Sequence, residues 1–347
     1  MKACPANWGS KVPYRRAAEL LSEFLPLSDR SLSHSTLRRP TLAVGAHLDQ
    51  RVTEPEEYDW PDSQRKPVAA SARMTVSIDG TYVRADSSGC SRQHYVVAGR
   101  IERDGQLGDR FAWIAQRPTD PVDFMKATLE NNGWTSASRV AVLADGADGL
   151  TNLVDAATST PAVGVLDWFH ISMRFRPIEQ MIRKVALLFD AMSPALSAMI
   201  RVKVPRVRYQ MWNGRWHAAA TRVRHIYRES DEVDGIKTNA DVERVRRFRQ
   251  HLLGLLQYMV NNQANRISYA HAYRHGLRIS SCPAESGMSH LVNQRLGKRQ
   301  PMCWSAEGAH LLLQVRCAVL NDRLDTLFQE WHPQFRRQTA VIELPAL

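Results

Sequence analysis

The stretch Met74–Ala85, MTVSIDGTYVRA, decides how the rest of the chain is read. Val76, Ile78, Gly80 and Tyr82 alternate with Thr75, Ser77, Asp79 and Thr81, the period of two of a half-buried β-strand. At its centre stands Asp79-Gly80, which admits two readings. Asp-Gly between alternating apolar residues is a strong hairpin signal, and a turn needs no chemistry. An unbroken strand would instead hold a carboxylate at its middle, on a solvent face or in a site, with Gly80 leaving room for a close approach.

Working outward, HYVVAGRIER (94–103) and RFAWIAQRP (110–118) add two strand patterns separated by Gly- and Asp-containing turns. A helix, PVDFMKATLENN (121–132), opens on Pro121. The continuous apolar run of RVAVLADGA (139–147) predicts a strand covered on both faces. A helix, LTNLVDAAT (150–158), then leads to a further strand, AVGVLDWFH (162–170). Three meander strands followed by a βαβα alternation predict an α/β fold, a mixed sheet flanked by helices. From Ile171 to Asn265 only helical patterns occur. In SAEGAHLLLQVRCAVLNDRLDTLFQEW (305–331), Ala309, Leu312, Leu313, Leu320, Leu324, Leu327, Phe328 and Trp331 form the stripe of one amphipathic core helix.

Ahead of the sheet, residues 14–47 predict two short helices in a helix-turn-helix-like arrangement, with Ser33 as N-cap of the second. Pro40 falls inside that second helix, where it would kink it. Residues 51–73 are rich in charge, Pro and Ser, without periodicity, and read as a linker.

Charge narrows the function classes. The 347 residues carry a net +11, and residues 171–251 alone hold 17 Lys and Arg against 8 Asp and Glu. Such a basic helical stripe is either a solvated face or a surface for a polyanion, with nucleic acid favoured. No apolar run approaches the ~18 residues of a membrane span. The start MKACPANWGSK lacks a signal peptide's apolar core. Cys4, Cys90, Cys282, Cys303 and Cys317 form no CxxC pair, which fits a reducing cytosol and packing roles.

Acidic residues stand at unexpected places. Asp145 ends the strand VAVLAD, where α/β sheets gather their functional groups, although a helix N-cap is an equal reading. Asp167 marks another strand-to-helix change, three residues before His170; an N-cap and a packing histidine are the plainer readings. Glu285, two residues after Pro283, falls near a helix N-terminus on the face of Met288, Val292 and Leu296, where it could simply complement the helix dipole. Arg295, Lys298 and Arg299 follow it. Taken together, Asp79, Asp145 and Glu285 are a hard, all-oxygen donor set of the kind Mg²⁺ takes. Two such ions ~3.5–4 Å apart can serve phosphodiester chemistry.

The passages SIDGTYVR, VAVLADGADGL, GVLDWFHISMRFRPIEQ, RISSCPAES, VNQRLGKRQPMCW and GAHLLLQVRCAVLN occur in this order across most of residues 74–331. On these motifs the chain resembles the DDE transposases of bacterial insertion sequences, within the RNase H-like superfamily, and most nearly the ISKra group. The resemblance implies an RNase H-like mixed five-stranded sheet and a catalytic triad of Asp79, Asp145 and Glu285 binding two Mg²⁺ ions, or Mn²⁺ in their place. It implies that Asp167 and His170, matching the C/D(2)H pattern of Mutator-like relatives, support that site. The partners it implies are double-stranded DNA, as element ends and target, and further copies of the chain on that DNA. Arg201, Arg206, Arg208, Arg244, Arg246 and Arg247, with Arg295, Lys298 and Arg299, are then the expected phosphate contacts.

The implied layout is an N-terminal DNA-binding segment at 1–50, a linker at 51–73, a first part of the catalytic core at 74–175, a basic helical insertion at 176–275, and closing helices at 276–347. Family members usually extend further ahead of WGSKVPYRRAAELL, so the resemblance implies a shortened N-terminal segment. A DNA-binding protein without chemistry, truncated or repurposed, and an RNase H-like nuclease are the rival expectations. The implied location is the bacterial cytoplasm, at the nucleoid.

Overall fold

The structure, a computed structural model, describes residues 3–24, 32–53, 73–86, 92–103, 106–117, 120–146, 148–190, 192–231, 238–280, 289–297 and 302–333. Three helices come first: α1 (Ala3–Lys11), α2 (Tyr14–Phe24) and α3 (His34–Thr53). The strands β1 (Arg73–Arg84), β2 (Gln93–Arg103) and β3 (Gln106–Ile114) precede α4 (Pro121–Glu130), β4 (Arg139–Ala144), α5 (Asp148–Thr158) and β5 (Val163–Leu166). A helical run follows: α6 (Trp168–Asp190), α7 (Pro194–Trp212), α8 (Trp216–Glu229), α9 (Asn239–Asn261) and α10 (Tyr269–Arg274). After a turn of π-helix at Ser289–Asn293, the chain closes with α11 (Ala306–Leu320) and α12 (Leu324–Trp331). Among the described residues no helix is long and apolar enough to cross a membrane.

The five strands form one mixed sheet in the order β3-β2-β1-β4-β5. β1 runs straight through Asp79-Gly80, with Asp79 opposite Ala98 and Gly80 opposite Val97 on antiparallel β2. The hairpin reading is therefore overturned. The ladder with β2 explains it: it runs unbroken from Met74 to Arg84 and holds the Asp-Gly pair extended, while parallel β4 pairs with β1 as far as Ser77. β3 begins four residues ahead of the expected strand and ends at Ile114.

Alternation then sorts the side chains onto two faces. On one, Met74, Val76 and Ile78 join Val97, Ile101, Phe111, Trp113, Val140 and Val142 beneath Phe124, Met125 and Leu129 of α4 and Leu150 and Val154 of α5. Helix α4 starts where Asp120 accepts from Val122 N at 2.7 Å and Pro121 needs no partner for a missing N–H. On the other face, Val83, Val96, Ala98, Ala112 and Ile114 pack under Ala309, Leu312 and Leu313 of α11 and under Tyr14, Ala17 and Leu21 of α2.

The closing stretch is two helices rather than the single amphipathic one expected. The break follows Leu320, where Asp322 adopts φ 55°, a left-handed backbone that ends a helix. Helix α11 is also buried all round from Gly308 to Ala318, because α1 and α3 cover the side that the stripe left for water. Its polar groups are matched there. His310 Nε2 lies 2.7 Å from Asp49 Oδ1, and Gln314 Nε2 donates to Ala112 O at 2.9 Å. The Arg316 guanidinium donates to the carbonyls of Ser10, His290 and Leu291.

Helix α3 continues through Pro40, and Ser33 Oγ accepts from Thr36 N at 3.2 Å at its start. It packs on α11 so closely that a Cβ on Gly45 would collide with the carbonyl of Leu311. The helical run has its own core, including Phe175, Phe189, Ile200, Met211, Phe248, Met259 and Tyr269, joined to the sheet through Leu166. Tyr269 Oη donates to Leu166 O at 2.8 Å, so β5 and the helical core are held together.

Gly45→Ala forces α3 and α11 apart and costs about 1–3 kcal/mol. The expected result is a lower urea midpoint with an unchanged m-value.

Candidate functional site

Register brings the aspartates together. Ser77 of β1 aligns with Leu143 of β4, and Ala144 of β4 aligns with Leu166 of β5, both in parallel. Two residues beyond Ser77 and Leu143 stand Asp79 and Asp145; one residue beyond Ala144 and Leu166 stand Asp145 and Asp167. The Asp167 N–H donates to Ala144 O at 2.9 Å, which carries the ladder past the strand ends. Neighbours in register share a face, and strands lie about 4.8 Å apart. The three acidic residues therefore line up in register on the α11 face, Asp79 at the middle of β1 and Asp145 and Asp167 directly after the carboxyl ends of β4 and β5.

The row is electrostatically coupled. Asp79 is half-buried, and its carboxyl is held above the usual carboxylate range, first by burial and then by the nearby negative charges of Asp145 and Asp167. The Gly80 N–H donating to Asp79 Oδ1 at 2.7 Å and the His170 ring act in the opposite direction. Asp167 is 1% exposed. Its Oδ1 accepts from Phe169 N at 2.9 Å, so it caps α6, while Oδ2 lies 3.7 Å from His170 Nε2. Asp167 thus fills the helix-capping role and faces Asp79 as well.

Three further groups complete the surroundings. Tyr258 Oη on α9 donates to Asp145 O at 2.9 Å, and the Arg174 guanidinium of α6 lies 4.0 Å from the Tyr258 ring centre. Burial pushes the Tyr258 hydroxyl up to about 12. Tyr95 on β2 has its hydroxyl raised by burial and then by Asp79, and that hydroxyl fills the space a Cβ on Gly80 would need. Any side chain at 80 would have to displace the Tyr95 hydroxyl, a contact the sequence alone does not show. Tyr258 sits in a helix with no motif around it, and Arg174, although inside the passage GVLDWFHISMRFRPIEQ, has no expected role there; the fold brings the two together.

Of the expected site residues, Asp79, Asp145, Asp167 and His170 converge. Glu285, Lys298 and Arg299 lie outside the described residues. The chain on either side of Glu285 is anchored near the row. Six residues ahead, Ile279 O accepts from the N–H of Trp168, next to Asp167, at 3.0 Å. Arg278 makes paired 2.8 Å bonds to the buried Glu102 of β2. Six and seven residues after Glu285, Leu291 and Val292 pack with Val83, Val96 and Ala98, on the face that carries Asp79.

The expected phosphate contacts divide. Arg295 is fully buried, with its guanidinium 4.8 Å from the Tyr14 ring and 4.9 Å from the Trp304 ring and its Nε donating to Gly9 O at 3.0 Å. It is a packing residue and cannot reach DNA; its place in a run of basic residues was misleading. Arg201, Arg208, Arg244, Arg246 and Arg247 are on the surface of the helical run, in ion pairs with Asp190, Glu179, Asp241 and Glu243. Arg206 is exposed on α7.

Among the described residues no group of three or more His, Cys, Asp and Glu is placed to hold a metal ion. The chemistry of the row still suits one. Its donors are hard oxygens, partly desolvated and mutually repelling, and Mg²⁺ commonly binds through only one or two carboxylates while keeping water and phosphate. Comparison with protein-family models and with curated proteins finds no match.

Between the ordinary aspartate range and the raised pKa of Asp79, the folded protein binds more protons than the unfolded chain, so stability falls as pH rises through that window. Asp79→Asn removes the effect. In EDTA the variant is expected to melt higher than the parent at pH 7 and to match it near pH 3; equal melting at both would show an unstrained carboxylate.

Proposed function

We propose that this chain is a metal-dependent DNA transposase with an RNase H-like core, acting through Asp79, Asp145 and Glu285. The observation that carries the reading is the acidic row, Asp79 at the middle of β1 and Asp145 and Asp167 just past β4 and β5, with Asp79 half-buried and facing the charges of its neighbours. Repulsion of this kind destabilises the empty site and is offset when a divalent cation binds. Asp79, at the centre of the sheet, and Asp145 would hold Mg²⁺ or Mn²⁺ with Glu285. Bound there, the ions would supply Lewis acidity to water at the element's end and to the freed 3′-hydroxyl at the target.

The chain's own residues set the geometry. The ladder with β2 fixes the Asp79 backbone, and Tyr258 holds the Asp145 carbonyl. Asp167 caps α6 and orients His170 toward the row. Surface ion pairs are worth about 0–1 kcal/mol, so the arginines of α7 and α9 can exchange their carboxylate partners for DNA phosphates. The shared partner is double-stranded DNA, engaged by more than one copy of the chain at the bacterial nucleoid.

The test uses the full chain, Mg²⁺ and labelled DNA carrying the sequences that flank its reading frame. Cleavage and joining to a target are expected, and both are lost in Asp79→Ala, Asp145→Ala and Glu285→Ala. Asp167→Asn, which acts through neighbours, is expected to cost about 10–100-fold. Alanine variants that cut as well as the parent would refute the assignment, and cleavage without joining would identify a nuclease. On the same DNA in EDTA, Arg206→Ala and Arg247→Ala together should flatten the slope of log affinity against log salt. The expected change is about 0.9 for each phosphate that the arginines cease to neutralise.

A further inference from the structure

Aromatic rings gather where α6 leaves β5. Trp168, the first residue of α6, has its ring centre 4.9 Å from that of Trp212 on α7 and 4.7 Å from that of Tyr269 on α10. Trp216 and Tyr273 extend the group, 6.1 Å from Tyr269 and 6.0 Å from Trp212. Its base is fixed. Tyr269 is fully buried and bonded to Leu166 O, and Trp216 donates to Ile267 O. Its rim is open. Trp168 and Trp212 are only partly buried, Tyr273 is 67% exposed, and Tyr209, one turn ahead of Trp212 on α7, is 65% exposed. Rings of this kind offer broad stacking faces at low conformational-entropy cost.

The segments that carry these rings have charge of one sign. From Pro194 to Arg228 and from Arg244 to Ser280 the chain holds no Asp or Glu. The Arg208 guanidinium lies 5.9 Å from the Trp168 ring centre, and Arg274 and His275, both exposed, follow Tyr273. Glu179 of α6 approaches this rim and is already paired with Arg208 at 3.1 Å. Aromatic faces set among cations match a ligand that is both flat and anionic.

We infer that this surface holds an unpaired stretch of DNA strand, its bases stacked on Tyr209 and Tyr273 at either side of Trp212, an inference that rests on the function proposed above. Duplex DNA covers each base face with its neighbours and offers only edges and phosphates. An unpaired strand offers a face and a phosphate at every nucleotide, which is what rings among cations bind. Such stacking ignores base identity, since every base has a π-face. Position gives the surface its task. Trp168 directly follows Asp167, so the rings begin one residue from the acidic row. A strand freed by cutting at the row passes onto them and is kept from re-pairing while its end is joined.

The experiment uses the full chain in EDTA with labelled DNA of about 12 nucleotides in three forms: single-stranded, single-stranded but abasic throughout, and duplex. Affinity is read by fluorescence anisotropy at one salt concentration. The parent chain is expected to bind the single strand at least about tenfold more tightly than the abasic strand, which carries the same phosphates without bases. Tryptophan emission should be quenched by the former and not by the latter. Tyr209→Ala with Tyr273→Ala should bring the ratio to within about twofold, with unchanged melting and unchanged affinity for the abasic strand and the duplex. Tyr209→Phe with Tyr273→Phe should keep the ratio, since stacking needs the ring and not the hydroxyl. The abasic comparison is made on the parent itself and needs no variant. Equal affinity of the parent for the single and abasic strands, a ratio that survives the double alanine variant, or an equal loss of duplex affinity in that variant would overturn the inference. Because no metal is present, a chain that prefers bases on an unpaired strand but never cuts refutes the catalytic proposal alone. One that cuts and joins yet ignores the bases refutes this inference alone.

Discussion

Parallel pairing of β1 with β4, and of β4 with β5, is the constraint from which the site follows. One register error in either ladder would turn an aspartate to the opposite face of the sheet, because side chains alternate with a period of two. The apolar pattern enforces the register. Val76 and Val142 face α4 and α5 only when Ser77 and Leu143 face α11, and this parity carries Asp79 and Asp145 to the α11 side. The acidic row is thus a by-product of burying valines correctly.

That dependence also explains how much was legible in the amino-acid sequence. The alternation in 74–84 carried β1 with Asp79 at its middle, and the apolar runs of β4 and β5 carried Asp145 and Asp167 directly after them. The Asp-Gly pair admitted two readings because a local turn signal says nothing about the β2 ladder that runs through it. The closing helix was misread for a related reason. A stripe on one helix cannot reveal that α1 and α3, nearly three hundred residues earlier, cover its other side. Arg295 was misassigned because a guanidinium stacked between Tyr14 and Trp304 looks, in the sequence, like any basic residue near others.

The helical run and the sheet are joined by polar contacts as well as by apolar packing. Tyr258 bonds the Asp145 carbonyl, Tyr269 bonds the Leu166 carbonyl, and Trp216 donates to Ile267 O at 3.0 Å within the run itself. Two tyrosines thereby fix the ends of β4 and β5 from one side. Movement of α9 would displace the Asp145 backbone, so the acidic row and the basic surface belong to a single mechanical unit.

The Arg316 guanidinium gathers carbonyls from the end of α1 and from the π-helical turn, segments some 280 residues apart. A cation sealed among peptide oxygens has no good alternative host once any of them is withdrawn. The polypeptide consequently closes on itself like a clasp, its opening helix and its late segment meeting at one side chain. A nascent chain emerging from the ribosome holds the first half of that clasp long before the second exists, and the two can meet only once Arg316 has been made.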